Sequence, residues 1–191
     1  MKDWIAKIRG EYYRIKCNLF KKNIFIDKGL RIYGKFEIIG KGKVTIGKNC
    51  IISRVIGYKN CHVVLQTLNP NAIIKIGDNV SLFGARISSK FAIKISNDVL
   101  IEDSSIMDTD FHSIDKSKQT PSDENVNKCK IVIGNRVSIG ARSIVTKGVN
   151  IGHDSIVAPG SIVRKSVPPR SLVFGNPASF KQIPIQKRYP T

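Results

Sequence analysis

Asp108, Asp110, His112 and Asp115 stand within eight residues of one another. A neutral imidazole is the side chain best matched to removing a proton from an alcohol near neutral pH. A neighbouring carboxylate can orient the ring and stabilise the imidazolium that forms. His112, with Asp108 and Asp110 beside it, is therefore a candidate general base. A lone loop histidine also has a plain reading as a solvated side chain, and position on a rigid scaffold is what separates the two. His62 and His153 are read as ordinary residues. The sequence has no GxSxG elbow, and covalent catalysis has no evident nucleophile.

The scaffold shows itself as a period of six. From Ile133 the chain reads IGNRVS IGARSI VTKGVN IGHDSI VAPGSI VRKSVP, with Ile133, Ile139, Val145, Ile151, Val157 and Val163 leading. Four residues after each leader comes a small or β-branched side chain: Val137, Ser143, Val149, Ser155, Ser161 or Val167. A helix would scatter such a stripe around its cylinder, and a simple strand needs a period of two. A triangular coil fits, with three hexads per turn, the leaders pointing inward and successive coils paired as parallel strands. Earlier hexads are led by Ile46 and Ile52, by Ile76 and Leu82, and by Ile95, Ile101 and Met107. Ile76 and Ile95 are 19 residues apart rather than 18, so one extra residue must bulge at a corner. Residues 108–130 break the frame; they are polar, carry five of the 14 acids, and read as a loop thrown out from the coil. Periodicity alone is equally compatible with a non-catalytic solenoid.

Three parts follow: residues 1–23, the coil 24–168 with its loop 108–130, and a tail 169–191. In the first part Trp4, Ile5, Ile8, Tyr12, Ile15 and Leu19 recur at spacings of three and four among basic residues, which predicts an amphipathic helix. Its apolar stripe is expected to cap the open first coil or pack on a neighbouring subunit, with contact to anionic lipid as the alternative. Pro168-Pro169 stops the coil, and the tail reads as a strand, a Gly-Asn-Pro turn and a short end.

A hydrophobic content of 41% argues against wholesale disorder, and no apolar run approaches the roughly 20 residues that span a bilayer, so a cytoplasmic location is expected. Cys17, Cys50, Cys61 and Cys129 form no CxxC pair and are expected to be reduced and structural, with no metal site. The formal charge of +18 would attract any polyanion. The basic residues are spread along the chain without a nucleic-acid-binding motif, so specific nucleic-acid binding is not expected. Coenzyme phosphates, nucleotide-sugars, acidic polysaccharide or a membrane face account for the charge as well.

The hexads, the loop containing DTDFH and the end IVRKSVPPRSLVFGNPA resemble the hexapeptide-repeat acetyltransferases, the group that includes galactoside, maltose and bacterial polysaccharide O-acetyltransferases. The resemblance covers roughly residues 44–180. It implies an all-β fold, a left-handed parallel β-helix with an extruded acceptor loop, here preceded by the N-terminal α-helix. It implies acetyl-coenzyme A as co-substrate and a homotrimer with sites between subunits. The family's loop histidine lies 17 residues after the Ile of an IGxN hexad, and Ile95 stands 17 before His112. His112 is then the base for direct attack of a sugar hydroxyl on the thioester. A backbone N–H of Gly140 or Ala141 would hold the oxyanion, and the pantetheine arm would pass Ala141, Ala158, Pro159 and Gly160. Arg164 and Lys165 would meet the coenzyme phosphates, and Gly175, Asn176, Pro177 and Ala178 the adenine end. Many maltose-type enzymes place an Asn in the preceding coil, where this chain has Gly84, Ala85 and Arg86. The function expected is O-acetylation of a sugar in a surface polysaccharide or its precursor. N-acetylation of a nucleotide-linked amino sugar and a non-catalytic basic solenoid are the alternatives.

Overall fold

The computed structural model describes residues 2–54, 62–110 and 125–184. An N-terminal helix, α1 (Asp3–Phe20), is followed by six triangular coils of three short strands each. The coils are β1 (Ile24–Ile26), β2 (Arg31–Ile32) and β3 (Phe36–Ile39); β4 (Lys43–Ile46), β5 (Ile51–Ser53) and β6 (Val63–Thr67); and β7 (Ile73–Ile76), β8 (Ser81–Phe83) and β9 (Arg86–Ser89). Then come β10 (Ala92–Ile95), β11 (Leu100–Glu102) and β12 (Ser105–Met107), with the loop and a short helix α2 (Val126–Cys129) after them. The last two coils are β13 (Ile131–Ile133), β14 (Ser138–Ile139) and β15 (Ile144–Val145), then β16 (Asn150–Ile151), β17 (Ile156–Val157) and β18 (Ile162–Val163). Corresponding strands pair in parallel to make three sheets, one per face of the prism.

The leading aliphatics do form the core. Ile26, Ile46, Ile76, Ile95, Ile133 and Ile151 stack in register down the first face, every one of them buried. Ile32, Ile52, Leu82, Ile101, Ile139 and Val157 do so on the second. Full burial of such a side chain contributes roughly 1.5–3 kcal/mol, so these columns supply most of the drive to coil. On the third face Val145 and Val163 are buried as expected, but in the fourth coil the expected register is wrong by one residue. Ile106 is buried and Met107 is only half-buried. The corner after β11 is a residue shorter than its equivalent after β14, so the inward position arrives one residue early. The same shortening follows β8, and the next corner, through Lys90–Phe91, is two residues longer than its equivalent after β15, which leaves Ile76 and Ile95 19 residues apart.

The helix bounds are close to expectation, but the docked face is not. α1 lies against β1 and β2 through Ala6, Gly10 and Cys17, which are buried, and through Tyr13, whose ring sits 5.1 Å from that of Phe36. A Cβ on Gly10 would fall 1.8 Å from the Leu30 carbonyl oxygen, so only glycine lets the helix approach this closely. Asn18 completes the cap: its amide donates to the Ile26 carbonyl and accepts from the Ile26 N–H, both at 2.9 Å, satisfying groups on the edge strand. Trp4, Ile8, Tyr12, Ile15 and Leu19 are exposed. Small residues do the docking because backbone-to-backbone approach leaves no room for large ones.

At the other end the tail has the expected strand and Gly-Asn-Pro turn, but a second strand follows in place of a short end. β19 (Ser171–Gly175) pairs in parallel with β17 and antiparallel with β20 (Ala178–Gln182), closing the second sheet with a hairpin whose Asn176–Pro177 peptide is cis. Among the described residues no helix is long and apolar enough to cross a membrane. Cys17, Cys50 and Cys129 are buried, and Cys61 lies outside the described residues.

Candidate functional site

Register brings four charged residues to one edge of the prism. Ile106 pairs with Val145 and Val145 with Val163, so Asp108, Lys147 and Lys165 occupy equivalent positions on successive coils, at the corner between the third and first faces. The loop leaves the coil here, and Asp110, two residues on, bonds Lys147 Nζ at 2.6 Å through Oδ2. Lys147 is not among the residues that the sequence singles out. Its spacing of 18 residues, one full coil, from Lys165 is the signal that would have found it.

Asp108 is fully buried, and its carboxylate is committed to the coil beneath. Oδ2 accepts from the Ser89 hydroxyl at 2.7 Å and from the Phe91 N–H at 3.0 Å, while Oδ1 accepts from the Lys90 N–H at 2.6 Å. Ser89 stands in register with Thr67 of the coil below, so Thr67, Ser89 and Asp108 form a buried polar column along this edge. The longer corner at Lys90–Phe91 turns two amides inward, and a buried N–H without an acceptor is costly. Asp108 supplies that acceptor and thereby fixes the root of the loop.

The loop's far root is equally tied. Asn125 Oδ1 accepts from the N–H groups of Asn127 and Lys128 at 3.0 and 3.1 Å, capping α2. Cys129 is buried and its carbonyl accepts from Gly148 N–H at 2.8 Å. His112 and Asp115 lie outside the described residues.

At the corner between the second and third faces lie Gly140, Ala141, Ala158, Pro159 and Gly160. The Gly140 N–H already donates to the Val157 carbonyl at 2.9 Å, so it is not available to an oxyanion. A Cβ on Gly140 would meet Pro159 at 2.8 Å, which makes this glycine a requirement of coil stacking. No acceptor for the Ala141 N–H is found among the described residues, and Ala141 is the better donor of the two. Ala158 is half-buried, while Pro159 and Gly160 are exposed. Gly160 has φ +74° and open space where a Cβ would point, so its backbone conformation alone selects glycine.

Beside the last coil, Val163, Lys165, Val173, Ala178 and Phe180 line a groove of about 240 Å³ between the third face and the hairpin. Lys165 belongs to this groove. Arg164, exposed next to it, does not line it. Asn176 and Pro177 are exposed at the hairpin tip. A larger groove of about 460 Å³ on the first sheet, lined by Phe25, Lys75 and Asp78, contains none of the residues expected from the sequence. His153 Nδ1 sits 2.6 Å from Asp154 Oδ2, and Arg136 holds the same carboxylate at 2.5 and 2.9 Å. Those hydrogen bonds, Arg136 first, hold the Asp154 carboxyl well below the usual range. This cluster staples the corner between the first two faces, away from the loop. No cluster of metal-ligating side chains occurs among the described residues.

Residues 130–165 match the model of the hexapeptide repeat of succinyl-transferase. The chain is 26% identical over 117 residues to galactoside O-acetyltransferase of Escherichia coli (strain K12), covering 58% of this chain and 57% of that protein. It is 28% identical over 152 residues to galactoside O-acetyltransferase of Lactococcus lactis subsp. lactis (strain IL1403), covering 78% of this chain and 67% of the relative. The first of these alignments thus spans little more than half of the relative. Among solved structures, the chain is similar to a point mutant of AntD, an N-acyltransferase from Bacillus cereus, in complex with dTDP and coenzyme A. The TM-score is 0.61 at 19% identity, over 91% of this chain and 89% of that one. At that identity the likeness is one of fold, the left-handed parallel β-helix. The chain thus carries a hexapeptide repeat over residues 130–165 and is similar to galactoside O-acetyltransferases over a larger part of its length.

Proposed function

We propose that the chain transfers an acetyl group from acetyl-coenzyme A to a hydroxyl of a sugar, in a surface polysaccharide or its precursor. The observation that carries the reading is the rooting of the loop: Asp108 fixes it at the edge where Lys147 and Lys165 stack. A base on this loop would work beside a basic column suited to coenzyme phosphates.

In this reading His112 takes the proton of the acceptor hydroxyl as its oxygen attacks the thioester carbonyl. The C–S bond then breaks, and the leaving sulfur takes the proton back from the imidazolium. The Ala141 N–H, contributed by a neighbouring subunit of a homotrimer, would stabilise the oxyanion between those steps. Asp110, tied to Lys147, is the carboxylate left to orient the ring, and Asp108 is a positioning residue.

O-transfer is preferred because the two relatives described above are galactoside O-acetyltransferases. The fold likeness to AntD, an N-acyltransferase, supports the second reading, transfer to the amine of a nucleotide-linked amino sugar. Thiol release from acetyl-coenzyme A, measured against sugars, polysaccharides and nucleotide-linked amino sugars, separates them. Turnover with hydroxyl acceptors alone supports O-transfer. Turnover only with the amino sugars supports the alternative, and no release with any acceptor overturns both.

A further inference from the structure

Helix α1 has two apolar faces, and the coil uses only one. At 3.6 residues per turn, Trp4, Ile8, Tyr12, Ile15 and Leu19 fall within an arc of about 80°, on the side opposite Ala6, Gly10, Tyr13 and Cys17. Trp4 is 59% exposed and Leu19 71%. A stripe of this size on a monomeric surface marks something that covers it.

We propose that this stripe lies on an anionic lipid surface, with α1 parallel to the membrane plane and the coil stack held on its far side. Charge complementarity selects that occupant. Residues 2–22 carry seven basic side chains against two acidic ones. Both acids are paired within the helix, Asp3 with Lys7 at 2.8 Å and Glu11 with Arg14. On the helical wheel Lys16 flanks one edge of the stripe, while at the other Glu11, paired with Arg14, stands next to it and Lys7 lies beyond, so that cations frame the apolar side as in a helix buried at the headgroup boundary. Trp4 and Tyr12 suit that boundary, being apolar rings with one polar handle. A soluble polyanion would satisfy the charge but offers no apolar phase for Ile8, Ile15 and Leu19.

A second copy of the chain is the less suitable cover. The helix is about 27 Å long, and a stripe of roughly 10 Å width offers on the order of 300 Å² per copy, well short of the roughly 800 Å² per partner of a stable interface. It would also bring two strongly basic helices together.

Trp4 is the chain's one tryptophan, so its fluorescence reports on the stripe directly. The full chain is mixed with vesicles of phosphatidylcholine alone, or of phosphatidylcholine with phosphatidylglycerol. Expected are a shift of Trp4 emission to shorter wavelength and flotation with the anionic vesicles only, both reversed by salt. Replacing Lys7→Gln and Lys16→Gln together should lower partitioning roughly thirtyfold. Ile8→Gln with Leu19→Gln should abolish it while the circular dichroism spectrum stays that of the parent. Absence of binding to anionic vesicles overturns the proposal, as does binding that these variants leave unchanged. A lipid-independent emission shift that grows with protein concentration, and is lost with a fall in oligomer mass in Ile8→Gln/Leu19→Gln, assigns the stripe to a second copy and overturns it too.

Discussion

The Ser89 hydroxyl donates to the Asp108 carboxylate at 2.7 Å, and neither side chain has any exposed surface. Asp108→Ala would leave that hydroxyl and the N–H groups of Lys90 and Phe91 without their acceptor in the interior. The expected loss is about 2–4 kcal/mol of stability, read by urea unfolding. Asp108→Asn keeps one carbonyl oxygen and should lose less. Asp110→Ala, which breaks only the solvent-facing pair with Lys147, should stay within about 1 kcal/mol. Equal effects at positions 108 and 110 would show that Asp108 does not anchor the loop.

Inward and outward positions of one sheet should behave differently. Ile101 is buried between Leu82 and Ile139 in the second-face column, and Ile101→Ala should cost about 2–5 kcal/mol, lost contact plus the cavity left behind. Ile156 faces solvent from β17 of the same sheet, and Ile156→Ala should change stability by less than about 0.5 kcal/mol. Thermal unfolding of the two variants decides the matter, and a similar loss in both would contradict the orientation of β17.

The last coils are legible in the sequence because nothing interrupts them: from Ile133 to Val163 each leader is buried and each step is six residues. Earlier the period drifts. Corners shorten after Leu82 and Ile101, and a stripe of aliphatics cannot report a corner's length, so the pattern points to Met107 where Ile106 is the buried residue. Large apolar residues reveal the helix, but docking against a backbone selects Ala6 and Gly10, which carry no hydropathy signal. Asp108 is visible as a loop carboxylate. Its burial depends on the longer corner at Lys90–Phe91, one coil away in space and nearly twenty residues away in sequence.

Cys50 offers a test at alkaline pH. Burial pushes its thiol up from the ordinary value of 9.0 to about 11. The unfolded chain therefore gives up this proton first. The contribution to stability is whole below pH 9 and is lost as pH rises toward 11. Urea unfolding across that interval should show a steeper decline for the parent than for Cys50→Ala. Parallel declines would mean that other groups account for all of it.

For the proposed base, His112→Ala should lower turnover about a hundredfold or more, the range for loss of a general base, with little change in the Michaelis constant for acetyl-coenzyme A. Steady-state kinetics on parent and variant of equal oligomer mass, checked by sedimentation equilibrium, make the comparison clean. Activity within about threefold of the parent would remove His112 from the mechanism.

The two basic residues of the final corner were expected to act together on the coenzyme phosphates, and their surroundings now distinguish them. Lys165 lines the groove beside the hairpin, whereas Arg164 stands outside it. A phosphate contact at an exposed lysine is worth about 1–2 kcal/mol, so Lys165→Ala should raise the Michaelis constant for acetyl-coenzyme A roughly five- to thirtyfold. Arg164→Ala should raise it less, and neither should move the acceptor constant. Added salt should narrow the gap between parent and Lys165→Ala, because it screens a contact that only the parent makes. Lys16→Gln, on the far end of the coil stack, serves as the control for diffuse charge. If it raises the donor constant as much as Lys165→Ala, the coenzyme is drawn by the net charge of +18 and not by this groove.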